Sequence, residues 1–214
     1  MLRIEGDLET LHDFGLDGRE ALAGVIRQTA YRNLAQAVAS LTIFSHPDTV
    51  AQTGAKSLFP IVRDARRRGE TEERDGRLIG FDDNKAPTDA FLWANEIKRR
   101  PQDLQFNHVY ALSDDVECYT NLANLCVSPA FLAKLTDTNP EITELLKYRV
   151  FDLYGWYPNG TRPPTKPDLY TQLEWSDTLP ASRGVGAAVS DQLARRSDRT
   201  ARMIRLTGWL LSGS

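Results

Sequence analysis

The chain has three histidines, and one of them, His108, stands where chemistry could be done. It follows Asn107 in the run "LQFNHVYAL" and precedes a second asparagine, Asn121, by thirteen residues; Asn124 lies three further on. Imidazole changes charge near neutral pH, so a histidine within reach of a water is well suited to take a proton from it. Amide carbonyls are neutral oxygen donors of the kind that hard divalent cations accept. The same residues have plainer uses. Asn121 and Asn124 can cap turns, a lone strand histidine can be structural, and Cys126, between Leu125 and Val127, reads as a small buried hydrophobe.

Other chemistries lack their residues. No GxxxxGK[ST] phosphate loop occurs, "GVGAAVS" at 184–190 lacks the third glycine of a dinucleotide fingerprint, and the GxSxG elbow of serine hydrolases is missing. Cys118 and Cys126 are the only cysteines, and their spacing makes neither a zinc knuckle nor a disulfide framework. The acids Asp82 and Asp83 could attract a cation, but Asp and Asn ahead of Pro87 read first as turn formers. His12 and His46 sit beside acidic or proline turns and attract no functional reading.

The elements that must position His108 follow from pattern. Residues 104–112 are short and apolar enough for a strand, "SDDVECYT" is a polar loop, and "NLANLCV" suits a returning strand. Ser128-Pro129 then makes a cap and first turn for a helix through "AFLAKL". The order is strand, loop, strand, helix.

That order, with "NH" inside the first strand and "NLANLC" opening the second, resembles the ββα-metal finger of the HNH nuclease superfamily. Asn107-His108 stands where the family has an acidic residue and its histidine base, Asn121-Leu122 at the middle asparagine, Leu125-Cys126 at "LC", and Lys134 near the helix lysine. The resemblance implies a DNA endonuclease. His108 would be the general base, Asn121 would orient it by holding the loop, and one divalent ion, Mg²⁺ or Mn²⁺, would neutralise the leaving oxygen, with Asn107 offering it an amide oxygen. The chain also departs from the pattern. The helix position that should carry a third ligand falls on Ala130 or Leu132, and neither can bind metal. A second reading therefore stands beside the first: an inactive HNH-like scaffold that binds DNA or a protein partner.

Around this finger, at 104–136, the sequence predicts a mainly helical α+β protein forming a single domain over 1–214, with helical additions at 17–77 and 138–214. Apolar spacing predicts one long helix from Asp17 to Phe44, a shorter helix over 55–68, a short strand over 78–81 and a further helix starting at Thr88. It also predicts a helix through "TNPEITELLKYRVFDLYGWYP", with Ile142, Leu145, Leu146 and Val150 along one side, and a C-terminal one capped by Ser190. Four prolines between Pro158 and Pro167 make the intervening segment a wrapping stretch or loop.

With 29 acidic against 26 basic side chains and a net charge of −3, no global basic field exists, so DNA contacts must come from local clusters. Arg195, Arg196 and Arg199 form the most basic stretch and, with Lys134, are the candidate DNA contacts; a solvated helix face is the alternative. Residues 66–68 read as a solvated helix end that could also touch phosphate. Neither signal peptide nor membrane span is visible, which makes a cytoplasmic protein the expectation.

Overall fold

The computed structural model describes residues 18–99 and 102–212; the expected helix start at Asp17, and His12, lie outside them. The fold is α+β and mainly helical.

The first long helix is broken in two, α1 (Gly18–Arg27) and α2 (Leu34–Leu41). Thr29 and Asn33 explain the break. The Thr29 hydroxyl donates to the Ile26 carbonyl and accepts from the Tyr31 N–H, while the Asn33 side chain accepts from Gln36 N and starts α2 afresh. Such local bonds compete with the helix's own. A short α3 (Pro47–Ala51) follows, capped by the His46 imidazole on Asp48 N.

The expected helix over 55–68 is absent, and the region 17–77 is not helical throughout. Pro60 and the β-branched pair Ile61-Val62 lead instead into β1 (Ile61–Arg63). Two further strands, β2 (Thr71–Arg74) and β3 (Arg77–Asp82), are joined by Asp75-Gly76, both at positive φ, as a two-residue hairpin turn requires. The sheet order is β1-β3-β2, with β1 parallel and β2 antiparallel to β3.

Helix α4 (Lys85–Ala94) begins before the expected cap. Thr88 lies inside it, donating its hydroxyl proton to the Asn84 carbonyl, while buried Asp82 accepts the Ala86 N–H. The predicted order is present with shorter elements: β4 (Leu104–His108) stops short of the expected end at Leu112 and pairs antiparallel with β5 (Leu125–Pro129), which starts only after a 3-10 turn at Leu122–Asn124, and α5 (Ala130–Ala133) and α6 (Leu135–Thr138) divide the expected single helix. Ser128 ends up within β5 rather than capping. Helix α7 (Pro140–Tyr154), capped by Asn139, matches expectation. The proline-rich stretch wraps as predicted; Ser176 N donates to Ala39 O and Leu179 N to Phe44 O, laying it along α2 and the residues after it.

The C-terminal arginine-rich helix also divides, into α8 (Val185–Arg195) and α9 (Arg199–Thr207). Asp198 accepts from Thr200 N and Ala201 N and so caps a second helix; Ser190 is mid-helix. One apolar core joins α4, α8, α9 and β1 through Phe59, Ile61, Trp93, Val189 and Ile204. A second joins α1, α2 and α7 through Ile26, Val38, Leu145 and Val150. The finger is held between them, with Cys126 in the second core and Leu125 and Val127 against Phe91 of α4. Among the described residues no helix is long and apolar enough to cross a membrane.

Gly80 in β3 is where α9 reaches the sheet. A Cβ there would lie 2.6 Å from the Met203 sulfur and 3.3 Å from Ile61 Cγ1. Gly80→Ala is expected to lower stability by about 1–3 kcal/mol, the usual cost of overpacking, read as a lower urea midpoint with unchanged slope.

Candidate functional site

His108 closes β4 opposite Leu125 of β5, where the chain leaves the sheet for the loop 109–124. Its Nε2 lies 2.8 Å from the Tyr119 carbonyl oxygen. A carbonyl only accepts, so Nε2 carries the proton and donates, which leaves Nδ1 with its lone pair. The imidazole also stacks on the Tyr119 ring, centroids 5.3 Å apart and planes 13° apart. Tyr119 is fully buried, and its phenol oxygen accepts the Asn84 N–H at the start of α4, 2.8 Å away. One tyrosine thus ties the histidine to the opposite wall of the site.

Burial pushes the His108 pKa below its ordinary 6.5, with Arg63 adding to the effect; the Tyr119 bond and the Asp137 carboxylate oppose it. The net direction is down. At neutral pH the ring is uncharged, the state a general base needs.

Two buried asparagines shape the loop. The Asn121 side chain accepts from Ala123 N at 2.9 Å and donates to the Ala55 carbonyl at 2.6 Å, fastening the loop to the segment before β1. It does not touch His108; it acts on the loop two residues beyond Tyr119. Asn124 spans the loop. Its Oδ1 accepts from Tyr110 N at 2.8 Å, and its Nδ2 donates to the Tyr110 and Cys118 carbonyls at 3.1 and 3.2 Å. Cys126 is wholly buried in apolar surroundings, which push its thiol up to about 12. Cys118 is likewise raised to about 12, first by burial and then by its bond to Asp115, so neither sulfur is a ready nucleophile.

His108 faces a cleft of about 900 Å³ bounded by β4, the start of α4, α6 and the end of α8. Five cations line it: Arg63, Lys85, Lys98, Lys134 and Arg196. Three carboxylates, Asp83, Asp89 and Asp137, do so as well. The excess is positive in a chain whose net charge is −3. Some cations are committed: Arg63 reaches Asp83 at 3.4 Å, and Lys85 bridges Asp89 and Asp198. Lys98 and Arg196 make no direct ion pair among the described residues, although the Arg196 charge acts on the Asp89 carboxylate. Arg196 lies over the Trp93 ring, 5.4 Å from its centroid, with its Nε on Gln192.

The structure divides the sequence-predicted contacts. Lys134 and Arg196 line the cleft with His108. Arg195 does not; it pairs with Asp191 along α8 at 2.7 Å. Arg199 lays its stem against Gly69, where a Cβ would meet its Cδ at 2.4 Å. The 66–68 run is largely tied up, with Arg67 on Glu70 and Glu72 and over the Phe81 ring, and Arg68 on Asp83. Asn107 is buried on the cleft wall, its Nδ2 donating to Ser128 Oγ at 2.8 Å; its carbonyl oxygen takes no hydrogen bond among the described residues. Ala130 lines the cleft and Leu132 is core, so neither helix position can supply a ligand.

Asp137, Arg63, Lys85 and Lys98 were missed from sequence. For Asp137 a signal existed: it lies one helical turn beyond Lys134, so it shares that lysine's face, and the two pair at 3.9 Å. The other three come from distant segments and carry no local mark. Comparison with family models, with curated proteins and with solved structures finds no match to this chain.

Proposed function

We propose that this cleft hydrolyses DNA phosphodiester bonds in the manner of an HNH endonuclease. The observation that carries the reading is the uncharged His108, with Nε2 held by the Tyr119 carbonyl and Nδ1 left basic, beside a cleft of net positive charge. Nδ1 takes a proton from water as the water oxygen bonds to phosphorus. The phosphorus bond to the leaving oxygen breaks, and that oxygen takes a proton from solvent. Lys98, Lys134 and Arg196 hold the flanking phosphates.

The donor set beside His108 is one carboxylate, Asp137; Asn107 alternates to the other face of β4, its amide turned to Ser128. Among the described residues no three His, Cys, Asp or Glu side chains gather to hold an ion by themselves. Such a set fits a hard cation carried mainly by water and substrate phosphate, as Mg²⁺ commonly is. Bound there, Mg²⁺ or Mn²⁺ would supply counter-charge for the leaving oxygen. Plasmid nicking with each metal, and its loss on chelation, is the direct test. Asp137→Ala is expected to raise the Mn²⁺ concentration for half-maximal nicking about 10- to 100-fold, the scale reported for groups that support metal ligands. An unchanged metal requirement would remove Asp137 from the site.

The same absence of a three-ligand cluster among the described residues favours a second reading, an inactive scaffold that binds DNA or a protein partner. No nicking with any divalent metal, together with retained DNA binding, would select it.

A further inference from the structure

We infer that DNA reaching the cleft runs on over a second surface outside it, where Arg66, Arg199 and Arg202 take phosphates of the flanking backbone. This rests on the reading of the cleft as a DNA site and adds the surface that holds the rest of the molecule.

Three sets of contacts place this surface on the rim of the cleft. Arg199 follows Arg196, which lines the cleft, by three residues, and Arg205 of α9 donates to the Leu193 and Arg196 carbonyls, which fixes α9 against the end of α8. Lys85 of the cleft pairs with Asp198, the residue before Arg199, at 3.2 Å. Asp83 of the cleft pairs with Arg68 at 2.5 Å, which brings up the turn that carries Arg66. Turn and helix meet at Gly69. Its φ of +91° and its missing side chain let the Arg199 stem lie across the turn, where a Cβ would come within 2.4 Å of Arg199 Cδ. Arg202 lies one helical turn beyond Arg199, on the same exposed face of α9.

The carboxylates at this rim are already occupied. Asp83 is held by Arg63 and Arg68, and Glu70 by Arg67. Asp198 takes Lys85 and the N–H groups of Thr200 and Ala201, and Asp64 takes the N–H groups of Arg66 and Arg67. Arg66, Arg199 and Arg202, in contrast, are exposed and make no ion pair among the described residues. Like charges gathered without partners repel one another, and a polyanion laid across them relieves that repulsion. The guanidinium fork matches phosphate oxygens bidentately. Continuity with the cleft selects DNA as that polyanion over an acidic protein.

The test reads binding apart from cleavage. Protein in chelator is titrated into a dye-labelled DNA duplex, and anisotropy is followed across a series of salt concentrations. Arg66→Gln, Arg199→Gln and Arg202→Gln together are expected to weaken binding at least tenfold at about 0.1 M salt and to flatten the salt dependence by about 2.7 in log–log slope, or ~0.9 per lost phosphate contact. Lys at the same three positions restores the charge and is expected to recover the slope. Arg66→Gln alone, on an exposed turn, is expected to flatten it by ~0.9 and keeps the test decisive if the triple variant fails to fold. The exposed pair Arg27→Gln with Arg32→Gln, which lines a separate cavity between α1, α2 and α7, is expected to leave the slope unchanged. A slope unmoved by Arg66→Gln, an equal effect from the Arg27 and Arg32 pair, or no DNA binding by the unmodified protein overturns the inference. Plasmid nicking with Mn²⁺ is scored separately. Nicking with an unmoved slope sinks this inference and keeps the hydrolysis, whereas a moved slope without nicking does the reverse.

Discussion

His108→Ala is expected to reduce metal-dependent DNA cleavage by about two to four orders of magnitude, the usual worth of a positioned general base. Asn121→Ala should cost less, because Asn121 touches the loop and not the imidazole. The pH profile gives a second, independent readout. Burial depresses the His108 pKa below 6.5, so the ring stays uncharged, and cleavage stays level, to lower pH than an exposed histidine would allow. The rate then falls as the pH drops through the depressed value. Stability carries the same sign. Protonating His108 is harder in the folded than in the unfolded chain, so its contribution is fully present above 6.5 and is lost as pH falls through the folded value. Among the metals, Mn²⁺ is expected to work best, since water and substrate phosphate can complete the shell of either ion but Mn²⁺ tolerates departures from the octahedral geometry that Mg²⁺ demands. Cleavage that survives His108→Ala at its original level would assign the activity to another site or to a contaminant.

Asn124→Leu is expected to be the most damaging substitution for stability, at about 2–5 kcal/mol. The asparagine is fully buried and satisfies one N–H and two carbonyls, on Tyr110 and Cys118, from a single side chain. Leucine fills similar space but leaves the buried Tyr110 N–H without its partner and takes one of two donors from each of the Tyr110 and Cys118 carbonyls. Because the loop so closed carries Tyr119, which holds the His108 ring, loss of Asn124 also loosens the histidine. Urea denaturation measures the effect. A loss below about 1 kcal/mol would mean that the Thr120 hydroxyl, which bonds Phe59 N and Phe59 O at 2.8 Å each, carries the loop instead; a change in stability of that size is the scale of a single ordinary hydrogen bond.

The finger was legible in sequence because its signals are local. Strand pairing needs only short apolar runs and a polar loop, and Ser128-Pro129 marks where the second strand gives way to a helix. Helix α7 was legible for the same reason: Asn139-Pro140 caps it, and the αL residue Gly155 ends it. Of the three-stranded sheet only the strand over 78–81 was legible; its partners were missed although Asp75-Gly76 is a recognised hairpin turn, because the charged stretch around it reads as solvated whether strand or helix. The breaks after α1 and α8 turned on single side chains, Asn33 and Asp198, capping new helices inside patterns whose apolar spacing continued across them. What composition and spacing determined, then, was the fold class and the place of His108 on a strand; that the strand stops at His108 is a result of the tertiary structure. The surroundings of that histidine belong to tertiary structure alone. Arg63, Lys85 and Arg196 come from β1, α4 and the end of α8, and reach one cleft only because the core around Trp93 packs those elements together. Arg195, adjacent in sequence to Arg196, points elsewhere and pairs with Asp191, since Arg195 is the last residue of α8 whereas Arg196 leaves the helix in extended backbone. Charge in a sequence is a count, and charge at a site is a direction, which packing decides.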